Sequence, residues 1–420
     1  MTLIHDNSVD HIKKNLPKRV YMWDETLRDG EQTPGVFFTL NEKIRIAKLL
    51  DEMGIFMIDL GFPSVSEEEK KTVKIIANEN LNAKTGVTVR ADIEDINDAL
   101  YCDVDRVFIF ISTSPLHMRH KLKLNEESVM KKAVDCVEYA KNHGLTADFI
   151  SEDTMRSDLN FVSKIFNKVT DFGAEILMIT DTVGVAEPDT IENVVNTIKN
   201  NIRNKIKLGI HCHNDFGLAT VNTLTAVKRG ILYPTTTVNG IGERAGNAAF
   251  EEVVMALEKI YGVDTRIKTE KLNELSNLVK KCSGVYISPH KPIVGLNAFR
   301  HESGIHVHGL LKNPLTYEPL QPEMVGRKRE FVLGKHSGTC LIKDILEKEG
   351  INATDGQIKM ITEKVKDFKE RSPKRLIFEM INTLNDYNRL VLGFPKKVFR
   401  EIAFRVVNGF EENNSGENSE

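Results

Sequence analysis

Short apolar runs recur along more than half of the chain, and stretches with helical periodicity separate them. Eight such runs, most of them rich in β-branched residues, lie at 20–23, 56–60, 85–89, 106–111, 146–150, 176–179, 207–211 and 235–238. The stretch 41–53 is typical of the intervening segments, because its apolar residues repeat at helical spacing. A strand–helix alternation with a period of roughly 30 residues predicts βαβ units and a parallel sheet.

Eight strand–helix units favour a closed barrel over an open sheet, so the predicted fold class is α/β, a (β/α)8 TIM barrel. The alternative is a doubly wound sheet, which usually has fewer units and a Gly-rich phosphate-binding loop after its first strand. Here the first run leads into the charged segment 24–30, Asp-Glu-Thr-Leu-Arg-Asp-Gly. This segment therefore favours the barrel.

The pattern changes after Gly262, where helical segments replace the strand–helix alternation. Helices are predicted at 271–281, 341–349, 355–369 and 374–386, and a segment rich in Gly, Pro and His, 288–338, lies among them. We therefore expect an N-terminal extension (1–18), a barrel domain (19–285), a mainly helical C-terminal region (286–405) and a disordered polar tail (406–420).

Composition narrows the class of protein without naming a function. The chain has 420 residues, of which 41% are hydrophobic and 28% charged, as in ordinary soluble globular proteins. A formal net charge of −3 gives no electrostatic case for a nucleic-acid or membrane partner. No apolar stretch approaches the roughly 20 residues that span a bilayer, and residues 1–18 lack the apolar core of a secretory signal. Five scattered cysteines fit reduced thiols, so we expect a cytoplasmic protein.

Polar and charged residues follow seven of the eight predicted strands. They include Arg28 and Asp29 after the first strand, Asp59 after the second, Arg90 after the third, Glu152 after the fifth, Thr182 after the sixth, His211 and His213 at the seventh, and Glu243 and Asn247 after the eighth. The carboxyl ends of barrel strands meet at one rim, where TIM-barrel enzymes have their active sites. The sequence thus predicts an active site at this rim.

His211 and His213 are separated by one residue on a predicted strand, so both side chains point to the same face. A bare His-x-His is more often a pair of buried, hydrogen-bonded histidines than a metal site. In a barrel, however, Asp29 and Asn247 follow strands that close beside each other and can add two oxygen ligands. Two nitrogens and two oxygens suit a divalent cation of the Mn, Mg or Zn kind.

Other charged groups at the rim have both a structural and a functional interpretation. Arg28 either forms an ion pair or uses its planar guanidinium on a substrate oxyanion or carboxylate. Glu152 either pairs with Arg156 or takes part in proton relay. Glu243 and Arg244 lie in a Gly-rich loop, where the backbone can approach a ligand closely. A plain tight turn would not need this charged pair.

Five segments carry a resemblance to a known enzyme family. Residues 28–35 (RDGEQTPG), 211–215 (HCHND), 239–247 (NGIGERAGN), 301–306 (HESGIH) and 334–338 (GKHSG) closely resemble the 2-isopropylmalate, homocitrate and citramalate synthases. The resemblance covers roughly residues 20 to 340. It implies a metal-dependent acyltransferase that condenses acetyl-CoA, as co-substrate, with a small 2-oxo acid.

The resemblance also implies roles for single residues. The metal ligands would be Asp29, His211, His213 and Asn247. Arg28 would polarise the 2-oxo group, and substrate contacts would come from Gln32, Asp59, Arg90, Thr182 and Glu243. His306 and Tyr317 would reach the site from the C-terminal region of a partner subunit, which implies a homodimer. The base that takes the acetyl methyl proton stays open among Glu152, His306 and Tyr317.

The choice of 2-oxo acid rests on departures from the homocitrate synthases, which tend to have a His on the third strand and an Arg on the fifth. Thr88 and Asp148 are in the matching places here, and Asp148 would repel a distal carboxylate. With Phe62 after the second strand, they favour a monocarboxylic acid, 2-oxoisovalerate first, with 2-oxoglutarate and pyruvate as alternatives. Asp59 and Ile150 depart from the family, which usually has Glu and Ser there.

Two further expectations concern regulation and the direction of the reaction. The chain stops before the regulatory domain of the longer 2-isopropylmalate synthases, so we expect no leucine inhibition through such a domain. A lyase of the hydroxymethylglutaryl-CoA type would have a Cys in the loop 242–246, which has none here. The alternative of another class is a non-catalytic metabolite-binding paralogue, which the intact Arg28 and metal ligands disfavour.

Overall fold

The computed structural model describes residues 16–203, 206–371, 379–384 and 396–407. Eight parallel strands close into a barrel in sequence order, and β1 pairs with both β2 and β8. The strands are β1 (Trp23–Asp24), β2 (Met57–Asp59), β3 (Lys84–Arg90), β4 (Arg106–Ser112), β5 (Thr146–Glu152), β6 (Ala174–Asp181), β7 (Lys207–Cys212) and β8 (Tyr233–Thr236). The predicted TIM barrel is confirmed, and every predicted run overlaps one strand.

Helices on the outside of the barrel follow the strands, and the first seven of them connect one strand to the next. They are α1 (Leu40–Met53), α2 (Glu67–Ala77), α3 (Ile93–Tyr101), α4 (Glu126–Asn142), α5 (Leu159–Asp171), α6 (Pro188–Asn201), α7 (Ala219–Lys228) and α8 (Phe250–Met255). The sequence marks where many of them begin, since Thr39 and Glu42 form a capping box on α1 and Asn125 caps α4. Their apolar faces, such as Ile46 and Leu50 of α1, pack in the core between helices and sheet.

The barrel interior is filled by side chains and is not a pore. Trp23, Met57, Phe108, Ile150 and Met178 belong to one buried cluster inside the barrel. The rings of Trp23 and Phe108 lie 4.2 Å apart between centroids. Because this cluster fills the middle of the barrel, space for a ligand is left at the carboxyl ends of the strands.

The C-terminal region is mainly helical, as predicted. After α9 (Leu272–Ser283), at the end of the predicted barrel domain, it contains α10 (Gly304–Lys312), α11 (Thr339–Lys348), α12 (Asp355–Arg371) and α13 (Lys396–Val407), and two short parallel strands, β9 (Arg300–His301) and β10 (Glu330–Phe331). The predicted helix 374–386 and the predicted tail 406–420 lie largely outside the described residues. None of the helices within the described ranges is long and apolar enough to cross a bilayer. The domain boundaries stay a prediction.

Candidate metal centre and active site

A cavity of about 310 Å³ opens at the carboxyl ends of the barrel strands. Eight of the predicted site residues line it: Arg28, Asp29, Gln32, Glu152, Thr182, His211, His213 and Glu243. The apolar part of the lining, here called the apolar wall, consists of Phe62, Phe110, Ile150 and Met178, with Thr88 beside them. The group formed by Arg28, Asp29, His211 and His213 is called the charged side of the cavity.

Asp29, His211 and His213 form a buried cluster whose ligand atoms all lie within 4.8 Å of one another. Oδ2 of Asp29 is 3.9 Å from Nε2 of His211 and 3.7 Å from Nε2 of His213. The two histidines share a face because they alternate at the end of β7, while Asp29 follows β1. Three groups predicted to bind a metal are thus brought together.

The second nitrogen of each imidazole is already engaged. Nδ1 of His211 lies 2.6 Å from Oε2 of Glu25, and Nδ1 of His213 lies 3.2 Å from the carbonyl oxygen of Gly246. A carboxylate or carbonyl oxygen can only accept, so each Nδ1–H is the donor, and the Nε2 of each imidazole in its neutral form has its lone pair on the side of Asp29. Metal-binding histidines in proteins are oriented in this manner. Burial opposes protonation of His211, but Glu25 and Asp29 outweigh it and raise the pKa of His211, so a metal at His211 would replace a proton.

Asn247 completes the donor set. Its Nδ2 donates a hydrogen bond of 2.7 Å to Oδ1 of Asp29, while its buried Oδ1 has no hydrogen-bond partner among the described residues. Gly242 makes this approach possible, because its φ is +155° and a Cβ there would overlap the Asn247 amide. An orphaned buried oxygen beside a carboxylate and two imidazoles fits the ligand chemistry of a divalent cation.

The charges around the cluster favour this chemistry. Burial opposes ionisation of Glu25, but Arg28 and His211 outweigh it and lower the pKa of Glu25 to about 2. Burial also opposes ionisation of Asp29, whose pKa Arg28 and the two histidines nonetheless lower. Burial, together with His211, lowers the pKa of His213 to about 4. The two carboxylates are therefore ionised and His213 is neutral near pH 7, as a metal site requires.

Arg28 lies at the charged side of the cavity with all its nitrogens paired. It contacts Glu25 at 2.9 Å, Asp29 at 2.8 Å and Asp59 at 3.1 Å. Asp59 does not line the cavity but lies fully buried behind Arg28, where it also accepts a 2.5 Å hydrogen bond from the Thr88 hydroxyl. Burial raises the pKa of Asp59 to about 7 although Arg28 opposes the shift. Asp59 is thus placed to orient Arg28.

Glu152 reaches the cavity at the end of β5, but its partner differs from the one considered above. Its carboxylate pairs with Lys121 at 2.6 Å and accepts a short hydrogen bond from the Ser112 hydroxyl. Arg156 instead pairs with Asp153 at 2.8 Å. The suggested Glu152–Arg156 pair is therefore wrong, because the chain turns at Asp153, whose φ is +65°.

The remaining predicted residues are divided between the cavity and the surface. Thr182 lines the cavity and accepts a hydrogen bond from the main chain of Asp153 at 2.9 Å. Arg90 does not line it, since its side chain is 61% exposed and pairs with Asp95 at 2.6 Å. His306 and Tyr317 also lie away from this cavity, stacked on each other with ring centroids 4.1 Å apart.

Asp148 corrects the argument about substrate choice. It was expected to face the substrate and repel a second carboxylate. In the structure it is buried toward the amino end of β5 and pairs at 2.8 Å with Arg106, the first residue of β4. Asp148 does not line the cavity, where Ile150 of the same strand is found instead. It therefore has no bearing on the number of carboxylates in the substrate.

Sequence reasoning missed Glu25 and Lys121. Glu25 was seen only as part of a charged segment, although a carboxylate four residues before Asp29 was a signal that a second acid could reach the rim. Lys121 lies in the segment Met118–Leu122 after β4, and nothing in the local pattern relates it to Glu152, 31 residues away. The Lys121–Glu152 contact joins neighbouring strands, and the Glu25–His211 contact reaches from β1 past β8 to β7, so both depend on how the barrel closes.

Comparison with known proteins identifies relatives for most of the chain. The HMGL-like family model matches residues 19–279, and the model described as homocitrate synthase post-HMGL domain-like matches residues 293–373. Three curated relatives illustrate the range of named activities.

The chain is 45% identical over 388 residues to the 2-isopropylmalate synthase of Methanocaldococcus jannaschii, covering 90% of this chain and 74% of that enzyme. It is 50% identical over 349 residues to the (R)-citramalate synthase CimA of the same organism, covering 83% and 71%. It is 48% identical over 355 residues to the homocitrate synthase AksA of Methanothermobacter thermautotrophicus, covering 84% and 90%. Among solved structures, the HMG-CoA lyase of Bacillus subtilis has a TM-score of 0.58 at 23% identity, over 64% of this chain and 95% of that one, and supports the fold alone.

Proposed function

The chain belongs to the HMGL-like family, as a condensing enzyme of the acyltransferase class, and on that basis we propose that it joins acetyl-CoA to a small 2-oxo acid. The first candidate is 2-oxoisovalerate, which would give 2-isopropylmalate and CoA. The observation that carries the proposal is the Asp29–His211–His213 cluster, with Arg28 beside it, at the charged side of the cavity.

Four side chains would hold the metal: Asp29, His211, His213 and Asn247. A divalent cation of the Mn, Mg or Zn kind bound there would supply Lewis-acid activation of the 2-oxo acid. Glu25 and the Gly246 carbonyl would keep the two imidazoles in the required tautomer.

Condensation requires three chemical events. The acetyl methyl group gives a proton to a base, its carbon forms a bond to the 2-oxo carbon, and water then cleaves the thioester to release CoA as a thiol. Negative charge develops on the former ketone oxygen, and the guanidinium of Arg28 is held on the cavity wall where it can stabilise that charge. Among the three candidate bases, Glu152 is the one that lines the cavity of its own chain.

The apolar wall supports a substrate with an apolar side chain. The guanidinium and ammonium groups that line the cavity belong to Arg28, Lys121 and Arg244, and each is paired with a carboxylate. The distal carboxylate of 2-oxoglutarate would have to compete with the existing carboxylate partner of Lys121 or Arg244, whereas an apolar side chain meets no such competition. Pyruvate and 2-oxoglutarate stay as alternatives, because the chain is 50% identical to a citramalate synthase and 48% identical to a homocitrate synthase.

The test is release of thiol from acetyl-CoA, followed with a colorimetric reagent. The panel consists of 2-oxoisovalerate, pyruvate, 2-oxoglutarate, oxaloacetate and a bulky aromatic 2-oxo acid, each with and without chelator. We expect release that depends on a 2-oxo acid, is fastest with 2-oxoisovalerate and stops with chelator. His213→Ala should abolish it, whereas the matched control His143→Ala, at the exposed end of α4, should not. Binding of a 2-oxo acid without thiol release would favour the non-catalytic paralogue.

We further propose a cytoplasmic homodimer in which His306 and Tyr317 act at the partner's cavity. Both are exposed and neither lines the cavity of its own chain. The test is co-expression of His213→Ala with Tyr317→Phe, each inactive alone. A random mixture should regain about a quarter of wild-type activity, because about half of the dimers are mixed and each has one intact site. No recovery from a mixture shown to contain mixed dimers would refute action in trans.

A further inference from the structure

A buried cation lies beside two loops of the cavity rim. Lys43 of α1 is fully buried, and its Nζ lies 2.6 Å from Oε2 of Glu31 and 2.7 Å from both carboxylate oxygens of Glu69. The condensation proposed above makes no use of this group. A lysine is kept in a protein interior only when its charge is paired, so the three side chains form one unit.

Each glutamate connects the ammonium group to one wall of the cavity. Glu31 directly precedes Gln32, a cavity residue, and its Oε1 accepts a hydrogen bond of 2.8 Å from the main chain of Phe38. Glu69 packs against the main chain of Gly61, where a Cβ would overlap Oε1 of the glutamate. Gly61 directly precedes Phe62 of the apolar wall. Lys43 therefore links the loop after β1 to the loop after β2.

We propose that Lys43 is a positioning residue that sets the distance between Gln32 and Phe62, and thereby the width of the subsite for the side chain of the 2-oxo acid. This inference rests on the proposed function. The two partly buried carboxylates repel each other, and the ammonium group between them keeps the segments that carry them close. Without the cation the loops separate and the subsite widens. The kcat/KM for a bulky 2-oxo acid then rises relative to that for a small one.

The test compares Lys43→Met with the control Lys48→Met in the metal-loaded enzyme. Lys48 is on the same helix and pairs with Glu79 at 2.6 Å, but its side chain is 53% exposed, and Glu79 belongs to neither loop. The ratio of kcat/KM for 2-oxoisovalerate to that for pyruvate should rise about tenfold in Lys43→Met, mainly through KM. The ratio should stay at the wild-type value in Lys48→Met. In Lys43→Arg, which keeps the positive charge, the ratio should return most of the way to the wild-type value.

A second readout is calorimetric binding of the two acids to the metal-loaded protein, which requires no turnover. A wild-type protein that releases no thiol would refute the proposed condensation, and the binding ratio would still test Lys43. If Lys43→Met does not fold, Glu69→Gln provides the test, because it removes one charge and keeps the size, and a smaller rise is expected. A ratio that is unchanged, shifts towards pyruvate, or reflects equal losses for both acids would overturn the positioning role.

Discussion

Replacing Glu25 by Gln should weaken metal binding while the barrel stays folded. Glu25 is 2% exposed, and its Oε2 accepts a hydrogen bond of 2.6 Å from Nδ1 of His211. The carboxylate fixes the tautomer that leaves Nε2 free, and its charge makes the imidazole a stronger ligand. Glutamine has the same size and can still accept the hydrogen bond, but it lacks the charge. Loss of such a partner weakens metal affinity by about 10- to 100-fold, or about 1.4 to 2.7 kcal/mol.

The charge of Glu25 is shared between two partners. Burial opposes its ionisation, yet Arg28 and His211 lower the pKa of Glu25 from 4.5 to about 2. Glu25 is therefore ionised near pH 7, and Glu25→Gln removes a full negative charge beside His211. The expected loss of metal affinity follows from the loss of this charged partner.

The assay is calorimetric titration of Mn²⁺ into chelator-treated protein. Glu318→Gln is the matched control, because Glu318 is 5% exposed and pairs in the same manner with a histidine, His301, and an arginine, Arg329, in the C-terminal region. The control should bind Mn²⁺ as the wild type does. A folded Glu25→Gln protein with wild-type Mn²⁺ affinity would refute the role assigned to the charge of Glu25.

Three further substitutions test the cavity and the amino end of the barrel. Arg28→Lys should lower kcat/KM about 100-fold at unchanged metal affinity, because lysine lacks the planar guanidinium; wild-type kinetics would contradict its role. Ile150→Ala should lower kcat/KM about tenfold for 2-oxoisovalerate and little for pyruvate, and equal losses would argue against contact with the substrate side chain. Burial raises the pKa of Asp148 to about 6 although Arg106 opposes the shift, so the stability it contributes is complete below pH 3.8 and is lost as the pH rises through 6. In urea unfolding, Asp148→Asn should therefore gain about 2 kcal/mol on the wild type between pH 4 and 7, and a pH-independent difference would contradict this.

The order and spacing of the barrel strands could be predicted because they depend on local patterns of apolar residues. The ends of the strands could not. The first strand was predicted at 20–23 and is Trp23–Asp24, and the last was predicted at 235–238 and is Tyr233–Thr236. These limits depend on pairing across the barrel closure, where Trp23 is in register with Met57 and Thr235. Register between distant segments is not encoded in either segment alone.

The metal cluster was predictable for a related reason. Alternation along a strand puts His211 and His213 on one face, and barrel closure brings the loop of Asp29 beside them. Alternation does not tell how deep along the barrel axis a residue lies. Asp148, Ile150 and Glu152 are two residues apart on β5 and share one face of the strand, but they lie at different depths. Asp148 pairs with Arg106, Ile150 belongs to the apolar wall, and Glu152 lines the cavity near its opening. The error about Asp148 follows from this missing coordinate.

By itself, the sequence determined the barrel, the charged rim and the pair of histidines, because periodicity and spacing are properties of neighbouring residues. Only the tertiary structure decided which acid orients which ligand. Glu25 reaches His211 across 186 residues, Lys121 rather than Arg156 pairs with Glu152, and Lys43 joins two glutamates from different loops. Each of these choices depends on strand register, loop conformation and side-chain rotamers, which are settled together only when the whole barrel is closed and packed.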